Sequence, residues 1–200
     1  MKIRFALCLI ALSAAWQTHA ADTGEDLARQ WCANCHTVSG NSTQPMFPRL
    51  AGQQYDYLLQ QLQAFRNKSR HDRAAHDYMW GMTAALDDAT IEGLARYFST
   101  QKPEPNPAPV DDALANAGKQ LYQNGNPAAG TPACASCHGA NAEGTAIAPR
   151  LAGQHAEYLT KQLHVFGTNQ RPAAVAMQEI IKTLKESDIQ AVTAYLQSVR

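Results

Sequence analysis

This 200-residue chain is short of charge, with 17 % of its residues charged and the two signs balanced at 17 each. A protein that grips nucleic acid through its phosphates needs a basic excess, so nothing here speaks for such a partner. No run of like charge marks an acidic or polybasic tail. No apolar run is long enough to cross a bilayer as a helix. No stretch shows the alternation of a half-buried strand, and the apolar residues recur instead at helical spacing. Cysteine is also scarce, at positions 8, 32, 35, 134 and 137 only.

The first of these belongs to the chain start. Met1-Lys2-Ile3-Arg4 is followed by an apolar run from Phe5 to Trp16 and by Thr18-His19-Ala20-Ala21. A charged beginning, a short apolar core and small residues at a cleavage point describe a secretory leader, residues 1–20, removed after about Ala20. Cys8 lies within that core, without the context of a lipid-attachment site. Losing Lys2 and Arg4 with the leader takes the basic count from 17 to 15 against 17 acids, a charge of −2. The expected destination is the periplasm.

The other four cysteines form two identical patterns, Cys32-Ala33-Asn34-Cys35-His36 and Cys134-Ala135-Ser136-Cys137-His138. Cys-x-x-Cys-His is the attachment signature of c-type haem. Its two thiols add to the porphyrin vinyl groups, and the adjoining imidazole is carried beneath the ring as an iron ligand. A zinc ribbon would place its second thiol pair far closer than Cys134 lies to Cys35. A redox dithiol of thioredoxin type would sit in a βαβ pattern, which is missing. The cofactors expected are therefore two covalently bound haem c, and no cysteine is left for a structural disulfide.

Much of the chain is written twice. Pro48-Arg49-Leu50-Ala51-Gly52-Gln53 returns as Pro149-Arg150-Leu151-Ala152-Gly153-Gln154. The stripe Tyr55, Leu58, Leu62 and Phe65 returns as Ala156, Leu159, Leu163 and Phe166, at the spacing of one helix face. Leu86, Ile91, Leu94, Tyr97 and Phe98 return as Leu184, Ile189, Val192, Tyr195 and Leu196, on a last helix that starts near Asp87 in the first half. Between the copies lies Lys102-Pro103-Glu104-Pro105-Asn106-Pro107-Ala108-Pro109, which suits a stiff extended linker. The organisation expected is two domains, 21–102 and 113–200, joined by a linker at 103–112.

Finer expectations follow. Thr23 caps a first helix in which Leu27, Ala28 and Trp31 share a face and lead into Cys32. Residues 47–53 open the next helix, and the charged stretch from Asn67 to Asp77 is a loop. Gly118 stands much further ahead of Cys134 than Gly24 does of Cys32. The extra residues, between Gln123 and Ala133, make a surface loop.

An iron bound by one histidine needs a second axial ligand or keeps an open site. After His138 the chain has a single methionine, Met177, whereas the first domain offers Met46, Met79 and Met82. Aligning Leu86 with Leu184 puts Met79 on Met177 and Met82 on Ile180, so Met79 and Met177 are the expected ligands. A thioether favours ferrous iron and raises the potential. Bis-histidine ligation competes, through His71, His76, His155 or His164, but none pairs with a histidine across the repeat; they read as surface or partly buried residues. Pro48 follows His36, and Pro149 follows His138, at almost the same distance along the chain. Either could offer a carbonyl to the imidazole Nδ1–H or start a helix.

A glycine-led helix, Cys-x-x-Cys-His, the downstream proline and a methionine ahead of a last helix resemble class I cytochromes c. The duplication, the paired Pro-Arg-Leu-Ala-Gly-Gln segments, the proline linker and the longer second-domain loop are similar to the dihaem cytochrome c4 family. The resemblance covers essentially the whole mature chain. It implies an all-α fold of two tandem class I cytochrome c domains related by a pseudo-twofold axis. It also implies Cys32, Cys35, His36 and Met79 as the residues of the first haem and Cys134, Cys137, His138 and Met177 as those of the second, with the histidines and methionines on iron. The function implied is a periplasmic electron carrier, not an enzyme, between a quinol-oxidising complex and terminal oxidases or other acceptors, often associated with the membrane face. A second reading is the cytochrome subunit of a flavin-dependent sulfide dehydrogenase-type complex. A third, a peroxidase, would need an open axial position and distal acid/base groups, against which a methionine matched to each haem argues. Tyr57 and Tyr158 recur and could reach haem propionates or pack on helix faces.

Overall fold

The computed structural model describes residues 24–200, so the leader and the Thr23 cap lie outside the described residues. Residues 24–27 are helical and pass through a π-helical stretch, Ala28–Cys32, into α1 (Ala33–His36). The first half continues with α2 (Tyr55–Arg66), a π-helical stretch Ala75–Met79 running into α3 (Trp80–Thr83), and α4 (Asp88–Thr100). The second half has α5 (Asp112–Asn124), a 3₁₀ turn Pro127–Ala129, α6 (Ala135–His138), α7 (Ala156–Phe166), α8 (Val175–Ile181) and α9 (Glu186–Ser198). Among the described residues the strand-like pairing is confined to one bridge, Asn126 to Thr131. The fold is all-α and used twice.

The long helices start where the sequence supplies caps. Asp87 accepts a hydrogen bond of 2.8 Å from Thr90 N. Asp111 accepts one of 2.8 Å from Leu114 N. Each satisfies an amide that has no helical partner. The repeated apolar stripes then face inward. Ala28, Leu58, Leu94, Ala95, Tyr97 and Phe98 form the first core, with Tyr55 and Leu62 packed on it; Tyr122, Ala142, Ala152, Leu159, Val192 and Leu196 form the second. A large apolar side chain of such a stripe contributes about 1.5–3 kcal/mol when fully buried. The paired glycines mark where the first helix of each half crosses the last. A Cβ on Gly24 would strike the backbone of Gly93 and Leu94, and one on Gly118 would strike Ala191 and Tyr195, so only glycine permits the close approach.

Four local expectations need correction. The stretch from Asn67 to Asp77 is a loop only at its start, because residues 73–79 are helical; the polar residues that hide the period there face outward. Residues 47–53 open no helix. They form an extended turn, and α2 begins at Tyr55, so Pro48 is not a helix starter. The extra residues between Gln123 and Ala133 are more than a surface loop. Thr131 is buried, and its hydroxyl bonds Thr183 Oγ1 at 2.9 Å, tying the insertion to the segment after α8. Trp31, expected to share a face with Leu27 and Ala28, is 60 % exposed, whereas Ala28 is buried.

The halves meet through the repeated segments. Gln154 Nε2 donates to Arg49 O (2.9 Å) and its Oε1 accepts from Arg49 N (2.8 Å). Gln53 does the same to Arg150, at 2.9 and 2.8 Å. Exchanging the halves exchanges these contacts, which is a local pseudo-twofold axis. The linker is ordered against both halves: Glu104 N donates to Asn41 Oδ1, and Asn106 Nδ2 to Gly153 O.

Candidate haem sites

Helical geometry groups the attachment residues. Cys32 ends the π-helical stretch, and Cys35 and His36 follow on α1, so i, i+3 and i+4 project to one side. Cys134, Cys137 and His138 repeat this at α6. Both imidazoles are buried. His36 Nδ1 lies 2.9 Å from Pro48 O, and His138 Nδ1 lies 2.9 Å from Pro149 O. A carbonyl only accepts, so Nδ1 carries the proton and Nε2 is the nitrogen left for a metal. Burial lowers the pKa of both histidines, opposed in part by the same carbonyls. The neutral, metal-binding form is thus favoured.

Cys32 and Cys134 are not poised as redox nucleophiles. Burial pushes Cys32 and Cys134 up to about 11, whereas a reactive dithiol needs a depressed value. Among the described residues no three His, Cys, Asp or Glu side chains converge as a metal cage.

The backbone reverses immediately after each histidine. Thr37 adopts φ 64°, ψ 161° and Gly139 φ 85°, ψ 158°, a region that only glycine enters freely. A tyrosine hydroxyl holds each turn: Tyr97 OH donates to Val38 O at 2.8 Å and Tyr122 OH to Gly139 O at 2.6 Å.

Met79 closes the second π-helical stretch and Met177 lies in α8. In the first half Phe47 bridges the two sides. Its ring meets His36 edge-on at 6.1 Å and Tyr78, the neighbour of Met79, at 5.8 Å. Met46 and Met82 are exposed at 52 % and 43 %. Of the competing histidines, His71, His76 and His164 are exposed or half-exposed. His155 is buried with both nitrogens used, Nε2 on Ser42 O (2.9 Å) and Nδ1 on Asn106 Nδ2 (3.1 Å).

These residues fit a porphyrin. The donor set pairs two thiols with an imidazole fixed through its far nitrogen, and large apolar side chains stand open in each half. Met46, Tyr78 and Met82 are exposed in the first half, near in sequence to Phe47 and Met79, as Ile147 and Val175 are in the second. A flat apolar ring would cover such side chains.

The Cytochrome c family model matches residues 21–102 and again 115–200. Cytochrome c4 of Azotobacter vinelandii is 38 % identical, over 96 % of this chain and 96 % of its own. The chain belongs to the cytochrome c4 family. The crystal structure of reduced cytochrome c4 from Pseudomonas stutzeri superposes with a TM-score of 0.79 at 37 % identity, covering 90 % of this chain and 98 % of that one. A thiosulfate dehydrogenase electron acceptor of Thiomonas intermedia is 33 % identical over 82 % of this chain and 76 % of its own. As a cytochrome c4 family member, the protein carries two covalently attached haem c and is an electron carrier rather than an enzyme.

Sequence reasoning missed the centre of the domain interface. Arg70 and Arg171 are buried there, each stacked 4.6 Å over a phenylalanine, Phe65 and Phe166. Both guanidiniums donate to Gln61 Oε1 and Gln162 Oε1, and Arg171 also to Tyr57 OH. Asp72, fully buried, pairs with Arg70 at 2.9 Å. Gln61 and Gln162, like the two arginines, recur at the same offset as the paired Pro-Arg-Leu-Ala-Gly-Gln segments. That recurrence in polar residues was the available signal.

Proposed function

We propose that the protein is exported to the periplasm, its leader cut after Ala20, and carries electrons from a quinol-oxidising complex to terminal oxidases or other acceptors. Cys32 and Cys35 tether the first haem and Cys134 and Cys137 the second. His36 and Met79 bind the first iron, His138 and Met177 the second. The observation that carries this reading is the repeated arrangement of a motif histidine held through Nδ1 by a proline carbonyl, with one methionine matched in each half.

The haem supplies one-electron chemistry; the chain's residues decide that it is transfer and nothing else. Pro48 and Pro149 hold the imidazole planes, so neither histidine reorients when charge changes. The thioethers of Met79 and Met177 would hold the two irons opposite the histidine-bearing segments of the chain and would favour the reduced form. No acid or base is required at either site, because nothing but an electron is exchanged. Redox proteins are the partners this chemistry requires. No helix among the described residues is long and apolar enough to cross a membrane, and any membrane association proposed is peripheral.

A second reading has a specific observation behind it: the Thiomonas relative is named as an electron acceptor of thiosulfate dehydrogenase. An enzyme of that kind would then stand as the donor, as an alternative to the quinol-oxidising complex.

The test is stepwise optical reduction of protein purified from the periplasm, followed by carbon monoxide. Two low-spin haems that refuse the gas support the ligation proposed. Rapid binding at either haem refutes it. N-terminal sequencing should begin at Ala21, and donor complexes added in turn distinguish quinol oxidation from thiosulfate oxidation.

A further inference from the structure

The peptide unit between Pro48 and Arg49 has a partner at each end. Its carbonyl accepts His36 Nδ1–H at 2.9 Å, and its N–H donates to Gln154 Oε1 in the other domain at 2.8 Å. The Pro149–Arg150 unit repeats this, with His138 at 2.9 Å on its carbonyl and Gln53 at 2.8 Å on its N–H. Gln53, Gln154 and Arg49 are buried, so water does not compete freely for these groups. Both glutamines are pinned by a second bond, from Nε2 to the carbonyl of the same arginine, at 2.9 Å in each case.

We propose that Gln53 and Gln154 are positioning residues through which each domain tunes the proximal histidine of the other. This rests on the reading that His36 and His138 bind iron. A hydrogen bond to a peptide N–H polarises the unit and makes its carbonyl a better acceptor, because bonds in a chain reinforce one another. A better acceptor draws the Nδ1 proton, leaves the imidazole richer in electrons and stabilises ferric iron. Gln154 thus lowers the potential of the first haem, and Gln53 that of the second. Closing the domain interface and setting the potentials become one event.

The two relays are not equal. Arg150 N–H also lies 2.7 Å from Gln54 Oε1, whereas at the twofold-related position His155 points away, to Ser42 O, and leaves Arg49 N–H to Gln154 alone. Loss of Gln154 is therefore felt fully, and loss of Gln53 is cushioned by Gln54.

The variants Gln154→Met and Gln154→Glu, in the full dihaem protein, separate this from a structural role. Both lose the Nε2 donor; only Gln154→Glu keeps an acceptor oxygen, now charged. The readouts are a redox titration with each haem followed by its own NMR signals, and the chemical shift of His36 Nδ1–H. Gln154→Met should move the electron-sharing ratio toward the first haem about threefold, where tenfold corresponds to about 59 mV. Gln154→Glu should move it the other way. The Gln53→Met/Gln54→Met pair should act on the second haem and His138, and carries the test if Gln154→Met does not assemble. Shifts of equal size at both haems, the same sign for Met and Glu, or no shift with both haems intact would overturn the relay alone. Absence of histidine-ligated low-spin haems in the unmodified protein would overturn the ligation reading, and the relay with it.

Discussion

His155 offers a quantitative test of the interface. It is 2 % exposed and joins three parts of the chain: its own helix start, Ser42 of the first domain through Nε2–H, and linker residue Asn106 through Nδ1. Replacing it with alanine removes two hydrogen bonds worth about 1 kcal/mol each, strands buried polar groups and leaves a cavity, for a total of about 3–4 kcal/mol. Glutamine should cost less than about 1 kcal/mol, since Gln54 already makes the twofold-related bond, Nε2 to Glu143 O at 2.9 Å. Acidity adds a second signature. Burial lowers the pKa of His155; the Ser42 carbonyl opposes this, nearby Arg49 adds to it and Glu157 opposes it. Above about pH 6.5 the residue is neutral in folded and unfolded chains alike. As pH falls through that value the unfolded chain takes up a proton that the folded protein still refuses, so stability declines until the lower folded pKa is reached. Guanidinium unfolding of the wild type, His155→Ala and His155→Gln at several pH values measures both effects. The wild type should lose stability toward acid, and His155→Gln should lose less over the same interval. Equal acid slopes, or an alanine variant within about 0.5 kcal/mol of wild type, would refute the argument.

Met79→Ala should open one iron to carbon monoxide, so that gas uptake rises from none to one equivalent per chain, and Met177→Ala should do the same for the other haem; uptake by both haems in either variant would contradict the assignment. Thr37→Gly should stabilise by about 1 kcal/mol in a denaturant titration, because relief of backbone strain of about 1–3 kcal/mol exceeds the added chain entropy of glycine. Gly118→Ala should destabilise the second domain by about 1–3 kcal/mol or more, since the methyl group meets the Ala191 carbonyl and the Tyr195 side chain; scanning calorimetry should show a lowered transition.

The fold was legible because the features that encode it are local and repeated. A helix stripe such as Tyr55, Leu58, Leu62 and Phe65 needs only its own spacing to be recognised, and Asp87 announces a helix start by side-chain chemistry alone. The contact between each motif histidine and a proline carbonyl was legible for the same reason: Pro48 and Pro149 follow their histidines at nearly constant distance. The helical stretch at residues 73–79 was hidden because its outward residues, among them Arg73, His76 and Asp77, swamp a short apolar period. The interface was hidden for a deeper reason. Gln53, Gln154 and His155 act on backbone groups in the opposite half of the chain, and a side chain that satisfies a distant peptide has no period to betray it. Gln53 and Gln154 were visible as repeats but, beside a proline, suggested a helix start.

The two halves share the contact from motif histidine to proline carbonyl and part company in the segments that carry Met79 and Met177. Between Arg70 and Met79 the first half carries Asp72 and Asp77, on a path that ends in a π-helical stretch. Between Arg171 and Met177 the second half reads Pro-Ala-Ala-Val-Ala, with no acid, and leads into α8. The segment after α8 is then held by Thr131 from an insertion that the first half lacks. Arg70 and Arg171 recur and so favour neither half, but Asp72 has no counterpart. A buried carboxylate favours ferric iron by simple Coulomb attraction, by more at the nearer site. Asp72 lies on the segment that leads to Met79, so its charge should weigh on the first haem more than on the second. Duplication alone would yield two equal stores for an electron; a residue that breaks the repeat can give the carrier a direction, by lowering the first haem below the second. In a redox titration that resolves the two haems, Asp72→Asn should therefore raise the first potential more than the second. An equal rise at both, or a larger one at the second, would remove Asp72 as the source of the asymmetry.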